Sequence, residues 1–131
     1  MRSLMAGGVL LTIAAAAAAA QPVREPAQPL TVELSSFKFR PATLSLIHGR
    51  AYRLRLVNTS SGGHDFDAPQ FFASSTVAPE DAAKVRGGRV ELAGGEPTDI
   101  VVIPNQPGTY KLRCTHFMHG MLGMTGRIVV Q

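Results

Sequence analysis

The 131-residue chain is expected to fold as an all-β sandwich. Three observations carry that expectation: short apolar/polar alternations recur along the chain, Gly and Pro clusters separate them, and helical periodicity is scarce. Alternation turns every second side chain to one face, so each run has a wet face and a dry one, and two dry faces together make a core.

The chain opens Met1-Arg2-Ser3 and runs without charge from Leu4 to Ala20, closing on Ala18-Ala19-Ala20. A basic start, a short apolar run and a small-residue end are the parts of a secretory signal peptide. Residues 1–20 are therefore expected to be cleaved, leaving a periplasmic or otherwise exported protein with no stable membrane anchor. Residues 21–28, with Pro22 and Pro26, read as a flexible leader, and residues 29–131 as one domain. Without Arg2, twelve Lys/Arg face nine Asp/Glu, a formal charge of +3 scattered along the sequence. The scatter argues against a nucleic-acid partner, while a mildly basic surface suits an acidic redox partner.

Leu30, Val32 and Leu34 alternate with Thr31, Glu33 and Ser35, which predicts a half-buried strand. Phe37 and Phe39 resume the alternation one residue out of phase, so a bulge or bend is expected at Ser35-Ser36. Thr43–Ile47 is a short second strand, and His48-Gly49-Arg50 a turn that leaves His48 on the surface. In the next strand Tyr52, Leu54 and Leu56 face inward while Arg53 and Arg55 face water. A Gly-rich loop, Thr59–Gly63, leads to His64, read as a loop residue, and then to the core aromatics Phe66, Phe71 and Phe72. Pro79–Lys84 carries proline and acids suited to a short helix start, the one helical or irregular insertion expected. Arg89–Leu92, Pro97–Ile103, Thr109–Cys114 and Thr125–Val130 complete the strands, with Pro104–Gly108 a clear turn. Tyr110, Leu112 and Cys114 share the inward face.

The chemistry concentrates between Arg113 and Met124, which hold the sole cysteine, two of four histidines and three of five methionines. In an oxidising compartment one cysteine cannot close an internal disulfide, leaving a buried thiol, an intermolecular link or a metal thiolate. Thiolate, imidazole and thioether together suit copper, whereas zinc would leave the thioether unexplained. The spacing runs five residues from Cys114 to His119 and five more to Met124, and His64 is the best remaining imidazole. Two histidines and a thiolate in one plane with a weak axial methionine define a type 1 blue-copper site, so His64, Cys114, His119 and Met124 are the expected ligands of one copper ion. Met121 is the rival axial donor. His116, Met118 and Met121 exceed the need of one ion; they line an apolar rim or hold a second copper.

At these residues the chain resembles the cupredoxins, the family of plastocyanin and azurin. The resemblance rests on Phe37-Lys38-Phe39-Arg40-Pro41, Val57-Asn58 before the loop to His64, Pro107-Gly108-Thr109-Tyr110 leading into Cys114, and Gly123-Met124-Thr125-Gly126. It covers nearly the whole domain after the leader, and implies a Greek-key sandwich with copper at one end and His119 beside an apolar patch where electrons pass. The five-and-five spacing is similar to the type 1 loop of multicopper oxidases, without the flanking histidines of their trinuclear site. Asp65 stands where many relatives have asparagine. The resemblance implies an exported, monomeric electron carrier that is not an enzyme and exchanges electrons with a redox partner protein. A copper-handling protein, chaperone or scavenger, is the alternative that the surplus donors favour.

Overall fold

The computed structural model describes residues 26–131 other than Phe117. The expected signal peptide lies outside these residues, as does the leader up to residue 25. Among the described residues ten strands form the framework: β1 Gln28–Ser35, β2 Lys38–Arg40, β3 Thr43–Leu46, β4 Tyr52–Asn58, β5 His64–Asp67, β6 Ser75–Val77, β7 Arg89–Leu92, β8 Pro97–Pro104, β9 Gly108–Arg113 and β10 Thr125–Val130. A helix α1 (Pro69–Ala73) and a 3-10 helix (Pro79–Lys84) lie between β5 and β7.

The strands make two five-stranded sheets, in the orders β2-β1-β4-β8-β6 and β3-β10-β9-β5-β7. The chain changes sheet between β2 and β3, again at β4, and repeatedly thereafter, so neighbours in sequence face each other across the core in a Greek-key sandwich. The apolar positions that alternation sends inward meet there: Val32, Leu34, Leu54, Leu56, Ile100, Val102, Leu112 and Ile128 are fully buried or nearly so. Phe66, Phe71 and Phe72 are buried with them, as the sequence predicts.

Three local expectations change. Ser35-Ser36 is no bulge: β1 and β2 pair antiparallel with Ser35 opposite Lys38, so Ser36 and Phe37 form a tight hairpin turn. Phe37 sits at φ 62° in the left-handed region and is 37% exposed, while Phe39 is buried in the core. His64 is a strand residue rather than a loop residue, because β7 pairs with it through Leu92. Finally, the insertion holds two helical turns and a strand, β6, where only a short helix is expected.

Candidate metal centre

β9 and β10 run antiparallel, and their last pair toward this end of the sandwich is Arg113 with Thr125. Residues 114–124 are thus one long hairpin loop. Its base is closed by the Cys114 amide on the Met124 carbonyl at 3.1 Å, and it folds back through the Met124 amide on the His119 carbonyl at 3.0 Å. Gly123 turns the chain at φ 94°, a conformation that disfavours any side chain. Loop closure places Cys114, His119 and Met124 on the same end of the molecule.

β5 supplies the remaining histidine. It meets β9 through a single pair, Asp67 with Arg113, and backbone pairing stops there. Past that point the Asp65 side chain takes over the work of the ladder: its carboxylate accepts the Thr115 amide at 2.7 Å and the Thr115 hydroxyl. The Asp65 amide lies 3.5 Å from Cys114 Sγ. Alternation along β5 turns Asp65 away from His64, so one residue binds the loop while its neighbour points into the gap between the two strands.

Three donor atoms converge in that gap. His64 Nδ1 and His119 Nδ1 are 3.1 Å apart, and Cys114 Sγ is 3.4 Å from His119 Nδ1 and 3.8 Å from His64 Nδ1. A point equidistant from three atoms so spaced lies about 2.0 Å from each, the length of a transition-metal bond to imidazole. His64 and Cys114 are buried and His119 is half-buried. Met124 is fully buried, whereas Met121 is 84% exposed. The residues present therefore fit a soft metal ion, and His64, Cys114, His119 and Met124 form a type 1 copper-like site. Burial lowers the pKa of His64, helped by the neighbouring His119 and His116, which keeps its ring nitrogen open to a metal. Burial also raises the Cys114 thiol, partly offset by the Asp65 and His116 backbone amides, so metal loading displaces a held proton.

The other donors of the loop have separate employment. His116 gives its Nε2 to Glu91 at 2.5 Å and stacks on His119 with ring centroids 5.5 Å apart and planes 20° apart. Phe37 meets His119 edge-on from another side at 5.1 Å, which accounts for a bulky residue held at positive φ. Asp65, Glu91 and His116 bring ligand atoms within 4.8 Å of one another, but Asp65 is taken by Thr115 and by Arg89 at 3.5 Å, and Glu91 by His116. That group works as a clamp on the loop.

Sequence reasoning overlooks two supports. Fully buried Asn58 donates from Nδ2 to the carbonyls of Gly62, Leu92 and Ala93 at 2.8, 3.2 and 3.1 Å, and accepts from the Ser60 amide and hydroxyl. It fixes the loop that delivers His64. The only sequence sign was a polar residue at a position whose alternation is inward. Glu91 carries no such sign, because its partner His116 is 25 residues away.

Residues 3–130 match the family model described as a Cupredoxin-like domain. Among solved structures, auracyanin B is 23% identical over 82% of this chain and 91% of its own, with a TM-score of 0.60. Auracyanin A, a "blue" copper protein from Chloroflexus aurantiacus, is 20% identical over 79% and 99% of the two chains, with a TM-score of 0.54. The McoA multicopper oxidase from Aquifex aeolicus is 18% identical over 85% of this chain but 31% of its own, with a TM-score of 0.65. At such identities these likenesses speak to the fold. A comparison with curated proteins finds no match. No helix among the described residues is long and apolar enough to cross a membrane.

Proposed function

The chain belongs to the cupredoxin-like domain family, and from that premise we propose that it is an exported blue-copper protein that carries single electrons between redox partners. The observation that carries this reading is the convergence of His64 Nδ1, Cys114 Sγ and His119 Nδ1 within 3.8 Å of one another, with Met124 buried at the base of the same loop. Copper held by these residues supplies a one-electron Cu(I)/Cu(II) couple. In this reading Cys114 would hold the ion by its thiolate, His64 and His119 by their ring nitrogens and Met124 by its thioether.

The scaffold suits repeated electron transfer because three of the donors are held by the surrounding fold. His64 stands on a strand, Cys114 is tied to Met124 across the loop base, and His119 is held between His116 and Phe37. Such support resists rearrangement when the site changes charge. His119 is the half-exposed nitrogen donor, and exposed Phe37, Met118, Met121 and Leu122 offer an apolar surface near it.

The test is Cu(II) addition to the mature protein. An intense visible thiolate-to-copper band, one copper per chain and reversible reduction are expected, and the band should vanish in Cys114→Ser. Absence of the band, or its survival in that variant, overturns the reading. Copper handling is the second reading, favoured by the exposed thioethers of Met118 and Met121 at 45% and 84%. More than one tightly held Cu(I) per chain would decide for it.

A further inference from the structure

The sequence scatters its basic residues, but strand register gathers four of them on one outer face. Alternation along β9 and β10 sends Lys111, Arg113 and Arg127 outward from the sheet β3-β10-β9-β5-β7. Register then sets Arg127 directly opposite Lys111, a like-charge cross-strand pair, which weakens a sheet rather than supporting it. Among the described residues neither makes an ion pair; Arg127 Nε donates only to the Thr43 hydroxyl at 3.3 Å.

Further along, the face is layered. Arg113 and Arg89 flank Asp67 at 3.1 and 3.4 Å, and Arg89 also lies 3.5 Å from Asp65. The aspartate side chains are 1–4% exposed, whereas those of Arg113 and Arg89 are 64% and 46% exposed. Negative charge thus lies underneath and positive charge outside. The exposed carboxylate on this side, Glu91, is bound to His116. The resulting row, Arg127, Lys111, Arg113 and Arg89, crosses from β10 to β7, and Arg113 leads directly into Cys114.

We propose that this row is a docking surface for the carboxylate-rich face of a protein partner, which it aligns beside the apolar loop around His119. That the partner exchanges electrons rests on the function proposed above; that it is acidic rests on the row itself. The argument is charge complementarity: among the described residues Lys111 and Arg127 carry no ion pair, Arg113 and Arg89 cover their buried aspartates from the exposed side, and an acidic surface within a screening length of about 8 Å at physiological salt relieves the Lys111–Arg127 repulsion. Sheet register, and not net charge, makes the surface.

The probe is fluorescein-labelled poly-L-glutamate, titrated by anisotropy against the whole protein, metal-free and copper-loaded, at low and at physiological salt. Salt-sensitive binding is expected, weakened about tenfold or more in K111E/R127E. The control R50E/R53E makes the same change of net charge elsewhere and should weaken binding by less than about twofold. K111R/R127K should bind as the wild type, and K111Q/R127Q should weaken by a smaller step, which guards against a misfolded reversal. Equal weakening in both charge-reversed variants overturns the proposal, as does wild-type binding that is absent or insensitive to salt. Tighter binding of a duplex DNA probe than of polyglutamate overturns the choice of partner. Because the readout needs no copper, a missing blue band would defeat the proposed function and leave this result standing.

Discussion

Replacing Asp65 by alanine should loosen the metal centre more than any other change that leaves its donors in place. The carboxylate is buried, accepts the Thr115 amide at 2.7 Å together with the Thr115 hydroxyl, and lies 3.5 Å from Arg89. Alanine removes two hydrogen bonds to an ionised acceptor and strands the Thr115 N–H where β5 and β9 have stopped pairing, a loss of about 3–5 kcal/mol. Asparagine keeps an oxygen for that N–H, and the Thr115 hydroxyl can turn to accept from the amide. What Asp65→Asn loses is the charge facing Arg89, and because Arg89 is 46% exposed that pair is discounted for solvent, leaving a cost of about 1 kcal/mol. Urea and thermal unfolding of metal-free protein measure both variants independently of copper. In a domain near this size Asp65→Ala should lower Tm by on the order of 20 °C, with Asp65→Asn close to the wild type. A cost below about 1 kcal/mol for alanine, or equal costs for the two variants, would show that the side chain does not carry the join between the strands.

Asn58→Ala should destabilise by roughly 3 kcal/mol in the same assay, because three carbonyls and the Ser60 amide lose their partner inside the protein. Stability against pH should fall at the acid end through Asp81. Burial works against its charged form, but the Lys84 ammonium at 2.7 Å and the Val101 amide at 2.9 Å outweigh it and hold its pKa below 3.8. A lowered carboxylate contributes fully above the unfolded value and is lost as pH drops below it, so Asp81→Asn should flatten the unfolding profile below about pH 4. Copper spectra should separate the methionines: Met124→Ala should alter the visible band and the potential and cost roughly 2–5 kcal/mol, while Met121→Ala should stay within about 0.5 kcal/mol with the band unchanged. An unaltered band in Met124→Ala together with a shifted one in Met121→Ala would reverse the axial assignment.

The parts of this molecule that were legible in the sequence are those set by local periodicity. Tyr52, Leu54 and Leu56 lie inward as alternation requires, and the bases of the ligand loop fall at strand ends because Tyr110 and Leu112 set the phase that carries Cys114 inward. At Phe37 a one-residue phase change looks the same in sequence for a bulge and a two-residue hairpin; only the partner strand distinguishes them, and Ser35 opposite Lys38 makes it a hairpin. His64 reads as a loop residue because nothing in Thr59–Gly63 signals that Leu92 of β7, 28 residues on, pairs with it.

The same limit governs the surplus donors. Read along the chain, His116 two residues after Cys114 counts as a spare metal ligand. In the fold it is spent on Glu91, and its ring lies flat against His119. Likewise Lys111 and Arg127, sixteen residues apart, are unremarkable until register puts them opposite each other. Donor type can be read from composition, but whether a donor is available depends on which strand passes beside it. That is why His64, Cys114, His119 and Met124 could be named as candidate donors from the sequence, while the hydrogen bonds through which Asn58, Asp65 and Glu91 support the site required the fold.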